Sequence, residues 1–228
     1  MKIIKTKDYN ELSKKASDIL IKEIAKKPNV VIGFASGFTP LGLYKILIKK
    51  KTDFSKIKSF NLDELYPIKK SDKKSYSHYM FKNLFNHVNI KKSNINLLNG
   101  ETKNPTKECL NYEKKIKKNK IDIQILGLGA NGHIAFNESG SKLNSRTRLV
   151  NLSKETKKSK KISKRALTVG IKTILSAKKL ILLASGNKKA KAVRCLVKGS
   201  IGKGCPASYL RKHKNFILIM DKGAGSLL

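Results

Sequence analysis

A histidine and a carboxylate stand close together in the middle of the chain, in the stretch IDIQILGLGANGHIAFNE. His133 and Asn131 lie among glycines, and Glu138 follows shortly after the histidine. Because an imidazole titrates near neutral pH, His133 is suited to proton transfer, and a nearby carboxylate can orient it. Glycines in such a turn let the backbone approach a ligand closely. A tight turn with a surface histidine has the same pattern, so this stretch alone leaves both interpretations open.

A second polar group, SGFTP, follows the apolar run VVIGF and precedes a helical pattern. Ser36, Gly37 and Thr39 in this loop offer hydroxyls and backbone N–H groups at a helix N-terminus, which is a favourable position for a phosphate. We expect Ser36 or Thr39 to cap the helix and Pro40 to lie in its first turn. A helix cap with no ligand is the alternative.

Two further polar groups follow apolar runs. Lys188 and Lys189 come shortly after the run LILLA, where a lysine could neutralise the same phosphate. Asp63 and Glu64 follow the run that ends at Leu62, and a carboxylate at that point is a candidate general base. The acidic pair is informative because the chain has only 15 acidic residues.

Two kinds of cofactor site are excluded by the sequence. Gly127, Gly129 and Gly132 fit the GxGxxG spacing of a dinucleotide-binding loop, but they lead into His133. No acidic residue follows about twenty positions later at a strand end, as that fingerprint requires, so we exclude NAD binding. The three cysteines are widely spaced and show no metal-ligand pattern, so neither a zinc site nor a disulfide framework is expected.

The elements that must position these residues alternate along the whole chain. Short apolar runs, typical of buried strands, are separated by helical patterns such as 8–27 and 105–118. This order predicts one α/β domain over residues 1–228, built on a mainly parallel sheet with helices on both faces. Because ligands bind at the carboxyl ends of such strands, we expect the polar groups to meet there.

The formal net charge of +36 arises mainly from lysines that occur in nearly every segment. A dedicated nucleic-acid-binding protein usually concentrates charge on one face and uses arginine, so we expect no specific nucleic-acid partner. The clusters Lys49–Lys51 and Lys157–Lys164 are candidates for weak polyanion binding, and the overall charge would attract an anionic substrate. No apolar stretch is long enough to span a membrane, and the N-terminus turns polar too early for a secretory signal. We therefore expect no membrane association and a cytoplasmic location.

Several of these segments resemble the glucosamine-6-phosphate deaminases. The resemblance rests on segments 62–64 (LDE), 127–138 (GLGANGHIAFNE), 145–148 (SRTR) and 166–170 (ALTVG), which occur in the same order. It implies a Rossmann-like three-layer α/β/α sandwich. It also implies conversion of glucosamine 6-phosphate to fructose 6-phosphate and ammonia by ring opening, aldose–ketose isomerisation and deamination.

The resemblance implies a role for each candidate residue. His133 would open the sugar ring, oriented by Asn131 and Glu138. Asp63 would carry a proton from C2 to C1. The positions that match the family's phosphate-binding residues are Ser36, Gly37, Thr39 and Lys189. Neither a metal nor an organic cofactor is implied; the partner would be a small-molecule sugar phosphate, and the chain would be a monomer or a homo-oligomer.

Two departures from the family pattern concern the phosphate. Phe38 replaces a small residue, which predicts a distorted loop if this position must take a positive φ. The segment between Thr156 and Ala166 is shorter than in the family and lacks the arginine that helps the family's enzymes hold the phosphate. A lysine would substitute for that arginine only as a point charge. The candidate substitutes are Lys160, Lys161 and Lys164. Two alternatives therefore stay open, a 6-phosphogluconolactonase-like enzyme and a non-catalytic sugar-phosphate-binding protein.

Overall fold

The structure is a computed structural model in which residues 1–154, 156 and 165–228 are described. The strands of the described residues are β1 (Lys2–Thr6), β2 (Val31–Phe34), β3 (Lys58–Asn61), β4 (Asp63–Tyr66), β5 (Ile95–Asn96), β6 (Ile123–Gly127), β7 (Arg148–Asn151), β8 (Arg165–Thr168), β9 (Lys179–Ala184) and β10 (Phe216–Asp221). The α-helices there are α1 (Tyr9–Lys26), α2 (Leu41–Lys49), α3 (Tyr76–Asn83), α4 (Pro105–Asn119), α5 (Ile171–Ile174) and α6 (Ala190–Lys198).

A seven-stranded sheet forms the middle layer, in the order β1-β10-β9-β6-β2-β3-β5. Every neighbouring pair in it is parallel. Its central strands read as continuous apolar runs because both faces are covered, as LILLA in β9 illustrates. The predicted mainly parallel sheet is confirmed.

Helices pack on both faces of this sheet and give two separate apolar cores. On one face, α1, α2 and α3 contribute Leu20, Leu47 and Met80 to a core with Ile125 of β6. On the other face, α4 and α6 pack against the neighbouring Leu126 of β6. Side chains alternate between the faces of a strand, so successive residues of β6 belong to different layers. The predicted three-layer α/β/α arrangement is confirmed.

The strand order reverses direction between β2 and β6, which are neighbours in the sheet. From β2 the chain continues outward to β3 and β5, whereas from β6 it continues to β9 and β10 on the other side. The loops that leave these two strands therefore diverge and open a crevice at the carboxyl edge of the sheet.

A smaller antiparallel sheet, β4-β8-β7, stands beyond the end of β3. Here the sequence interpretation was incomplete, because Asp63 and Glu64 do not simply end the preceding strand but begin a new one. The predicted helices differ only at their ends: the pattern 8–27 forms α1 over Tyr9–Lys26, and the pattern 105–118 forms α4 over Pro105–Asn119. Within the described ranges, no helix combines the length and apolar character needed to cross a membrane.

Candidate active site

One cavity of about 420 Å³ lies at this crevice, lined by the loops after β2, β6 and β9 and by the start of β4. It brings together seven of the candidate residues, namely Ser36, Gly37, Thr39, Asp63, Asn131, His133 and Lys189. Glu138 does not line the cavity, but it bonds to Thr156, which does. Three loops and the first residue of β4, all distant from one another in sequence, thus line the same cavity.

Asp63 faces the cavity although only 8 % of its surface is exposed. Ser36 Oγ donates a hydrogen bond to Asp63 Oδ1 at 3.3 Å. The serine hydroxyl that we considered as a helix cap therefore contacts a carboxylate instead. A carboxylate that is shielded from bulk water at a cavity wall is suited to take a proton from a bound molecule.

Glu64, the other acidic residue of the pair, points away from the cavity because neighbouring strand residues face opposite sides. It is 2 % exposed, and its carboxylate accepts hydrogen bonds from four groups. The donors are the N–H groups of Leu65, Tyr76 and Ser77, at 2.9, 2.8 and 2.8 Å, and the Ser75 hydroxyl at 2.7 Å. Glu64 therefore anchors the start of α3, where negative charge is favourable.

His133 is held by the neighbouring amide of Asn131. Nδ1 of His133 lies 2.6 Å from Asn131 Oδ1, and the His133 backbone N–H donates to the same oxygen at 3.4 Å. Because an amide oxygen only accepts, this contact requires the hydrogen on Nδ1 and assigns proton exchange with a ligand to Nε2. The imidazole ring packs over Gly129, where a Cβ would lie 2.3 Å from Nδ1, so only glycine fits.

Glu138 is fixed by hydroxyls and a backbone group. Its carboxylate accepts hydrogen bonds from the Ser153 N–H and the Ser153 hydroxyl, both at 2.8 Å, and from the Thr156 hydroxyl. Burial raises the pKa of Glu138, but these hydrogen bonds, with a smaller contribution from the charge of His133, bring the pKa below its usual value. Glu138 is thus held as an anion outside the cavity lining, close enough to His133 for the charge of the imidazole to contribute to its low pKa.

The backbone between His133 and Glu138 is tied to β8 and the residue after it. The Asn137 side chain donates to the Val169 carbonyl at 2.9 Å and accepts from Arg148 Nη1 at 3.0 Å. The Phe136 N–H donates to the Thr168 hydroxyl at 3.0 Å. Sequence reasoning did not assign a role to Asn137, because an asparagine inside a motif gives no sign of its distant partner.

The loop after β2 differs from the prediction at its helix end. Pro40, not Ser36 or Thr39, is the N-cap residue of α2, and no side chain makes a capping hydrogen bond there. Gly37 has a φ of +115°, whereas Phe38 takes no positive φ. The distortion that Phe38 predicted is therefore absent; its side chain is 89 % exposed and lies at the rim of the cavity.

The loop after β9 is fixed by Asp221 at the end of β10. Asp221 accepts from the Ser185 hydroxyl and from the Gly186 N–H, the latter at 3.0 Å. Burial raises the pKa of Asp221, but these bonds and others from the following turn bring it below its usual value. Ser185 and Lys189 both line the cavity. Ser185 was not predicted, although a polar residue directly after LILLA was an available signal.

The comparisons with known proteins agree with this arrangement. Residues 6–218 match the family described as glucosamine-6-phosphate isomerases/6-phosphogluconolactonase. The chain belongs to this family. A glucosamine-6-phosphate deaminase from Clostridium novyi (strain NT) is 50% identical over 241 residues, an alignment that covers 100% of both chains. Since this chain has 228 residues, that relative carries residues that this one lacks.

Solved structures of the family have the same fold. A monomeric glucosamine-6-phosphate deaminase superposes with a TM-score of 0.97 at 39% identity, covering 100% of both chains. A 6-phosphogluconolactonase from Trypanosoma cruzi superposes with a TM-score of 0.83 at 21% identity, covering 100% of this chain and 96% of the other. The second likeness concerns the fold alone. The lysines considered as substitutes for the family's arginine, Lys160, Lys161 and Lys164, lie outside the described residues, as does the cluster Lys157–Lys164.

Proposed function

We propose that this enzyme converts glucosamine 6-phosphate and water to fructose 6-phosphate and ammonia. The observation that carries the proposal is that one cavity is lined by a shielded carboxylate, an oriented imidazole and two loops suited to bind a phosphate. The full-length similarity to glucosamine-6-phosphate deaminases supports the same reaction. The chemistry would require these groups in one place, because the substrate must be opened, isomerised and held by its phosphate.

Ring opening is assigned to His133. With its Nδ1 hydrogen directed to Asn131, the ring presents Nε2 for taking the proton of the C1 hydroxyl and returning it to the ring oxygen. Glu138 favours the imidazolium that forms in passing, since it is an anion whose pKa responds to the charge of His133. Open-chain sugar is scarce in solution, so catalysis of this step is needed before any proton leaves C2.

Isomerisation is assigned to Asp63. Its carboxylate would remove the proton from C2 of the open-chain aldehyde and deliver it to C1, leaving an imine at C2 that water hydrolyses to the ketone and ammonia. The 8 % exposure of Asp63 limits loss of the proton to bulk water. The Ser36 hydroxyl orients the carboxylate through its 3.3 Å hydrogen bond.

Phosphate binding is assigned to the loops after β2 and β9. Gly37 and Thr39 contribute from the first loop, together with the Ser36 backbone, and Lys189 contributes its charge from the second. The Ser36 side chain bonds to Asp63, so its share in phosphate binding falls to its N–H group. These two loops flank the cavity as parts of a single domain over residues 1–228.

The test compares two reactions catalysed by the purified protein. We expect release of ammonia from glucosamine 6-phosphate and no matching hydrolysis of 6-phosphogluconolactone. Lactone hydrolysis without ammonia release would show instead a 6-phosphogluconolactonase-like enzyme. Sugar-phosphate binding without either reaction would show a non-catalytic binding protein.

The assigned roles are tested by two variants that remove the proton chemistry of each side chain. Asp63→Asn keeps the shape of the carboxylate, and His133→Gln replaces the ring by an uncharged amide of similar reach. Loss of a general acid–base group typically lowers kcat by a factor of about 10² to 10⁴. We expect losses of this size in both variants with little change in substrate binding. An unchanged kcat in either variant would refute the role of that residue.

The remaining expectations follow the similar deaminase. That deaminase is monomeric, and we propose that this chain is also a monomer that acts on a small-molecule sugar phosphate in the cytoplasm. Light scattering after size-exclusion chromatography measures the mass directly, and a mass above one chain would contradict this.

A further inference from the structure

Tyrosine hydroxyls from three different helices hold the loop after β2. Tyr44 of α2 donates to the Ala35 carbonyl at 2.5 Å, and Tyr79 of α3 donates to the Gly37 carbonyl at 2.5 Å. Tyr9, the first residue of α1, donates to the Phe38 carbonyl at 3.0 Å. The same Tyr9 oxygen accepts from the Gly42 N–H at 2.7 Å, which joins the loop to the first turn of α2.

All three hydroxyls reach the loop from one side. Helices α1, α2 and α3 cover the same face of the large sheet, where Tyr44 and Tyr79 take part in the apolar core. The carbonyls of residues 35, 37 and 38 are therefore turned toward this helix layer. In a planar trans peptide the N–H group points opposite to the carbonyl of the preceding residue. The N–H groups of residues 36, 38 and 39 consequently point away from the helices.

Resting on the proposed function, we infer that Tyr9 and Tyr79 are positioning residues that direct the N–H groups of this loop to the substrate phosphate. Each N–H group concerned belongs to a residue that lines the cavity. A backbone held in this way is an anion site whose donors need no rearrangement when the ligand arrives. The tyrosines do not touch the substrate; they act through the peptide planes.

The tyrosine contacts also account for Phe38. Its carbonyl is fixed by Tyr9 and by the Leu41 N–H at 3.2 Å, while its side chain is 89 % exposed. Since the backbone of residue 38 makes these contacts while its side chain extends into solvent, a large side chain is compatible with the loop. Burial raises the pKa of Tyr79 and of Tyr44, so both phenols keep the hydrogen that they donate.

The test uses Tyr9→Phe and Tyr79→Phe, each of which removes one hydroxyl and keeps the ring. Inorganic phosphate is the probe, and its dissociation constant is measured by calorimetry on the full chain. Removal of one hydrogen bond is expected to raise this constant about fivefold in each variant. The KM for glucosamine 6-phosphate rises by a similar factor, and kcat stays within about twofold because the reacting groups are not touched.

Tyr112→Phe is the matched control. Its hydroxyl also donates to a backbone carbonyl, that of Asn61 at 2.8 Å, but outside this loop. This variant lowers the melting temperature and leaves the phosphate dissociation constant unchanged. An equal rise in all three variants would mean general destabilisation and would overturn the inference.

Further results would also decide whether Tyr9 and Tyr79 position the loop after β2. An unchanged phosphate dissociation constant in Tyr9→Phe overturns the inference even if Tyr79→Phe fails to fold. A loss of kcat at unchanged KM would also overturn the inference, because it would mean that the tyrosine hydroxyls take part in the reaction step and not in phosphate binding. If the wild type binds phosphate but releases no ammonia, the proposed function fails, and calorimetry still decides the role of the tyrosines.

Discussion

Replacing Glu64 by glutamine tests how the buried carboxylate supports the site. Both of its oxygens accept backbone N–H groups: Oε1 from Leu65 and Tyr76, and Oε2 from Ser77. A glutamine must place its NH2 group at one of these positions, against an N–H that cannot turn. The variant therefore loses charge-assisted bonds and buries two opposed donors, whose combined cost is about 3 kcal/mol.

Glu138→Gln is the matched comparison inside the same protein. Among the described residues, Oε2 of Glu138 alone accepts a backbone N–H, that of Ser153, while Oε1 accepts the hydroxyls of Ser153 and Thr156. A glutamine can keep its oxygen toward the N–H and turn its NH2 toward the hydroxyls, which rotate to accept. The expected loss in the free energy of unfolding is about 1 kcal/mol.

Thermal and urea unfolding of both variants measures this difference. For a chain of this size, about 1 kcal/mol corresponds to a shift of about 2–4 °C in Tm, so Glu64→Gln should melt about 6–12 °C lower and Glu138→Gln about 2–4 °C lower. Equal losses, or a larger loss in Glu138→Gln, would refute the reasoning from donor geometry. Enzyme activity should separate the two variants in the opposite sense, because Glu138 is the one of the two proposed to support His133.

Two further predictions concern backbone strain and pH. The Cβ added by Gly37→Ala would meet no atom within 4 Å, but the φ of +115° is strained for alanine. We expect the free energy of unfolding to fall by about 1–3 kcal/mol. Gly204→Ala, whose Cβ is equally free of contacts and whose φ is not positive, should not lose stability. The pKa of Glu138 is lower in the folded protein than in the unfolded chain. The ionised carboxylate therefore stabilises the fold above pH 4.5, and this stabilisation is lost as the pH falls through the pKa of the folded protein. The stability gap between wild type and Glu138→Gln should narrow on acidification, and a constant gap would contradict this.

The alternation of apolar runs and helical patterns was sufficient to predict the large sheet and its helix layers. It failed for the β4-β8-β7 sheet, because strands of four residues separated by about a hundred positions pair through contacts that no local pattern encodes. For the same reason the Asp63–Glu64 pair could not be divided into a cavity residue and a helix anchor before the orientation of β4 was known.

The candidate residues were identified from their positions after apolar runs, and the cavity brings most of them together. The sequence did not show which distant residue each of these side chains would hydrogen-bond to. Ser36 was expected to bond within its own loop, yet its hydroxyl reaches Asp63. Ser185 and Asp221 form a pair from different strands, and the tyrosine contacts come from three helices.

Strand β8 and the residue after it connect the two sets of proposed acid–base groups. Val169 donates to the Leu62 carbonyl at 2.8 Å, next to Asp63, and its own carbonyl accepts from Asn137 in the histidine loop. Opening this strand would release both sides together. We therefore expect the carboxylate and the imidazole to belong to one cooperative unit of local unfolding, in which their spacing is kept or lost as a whole.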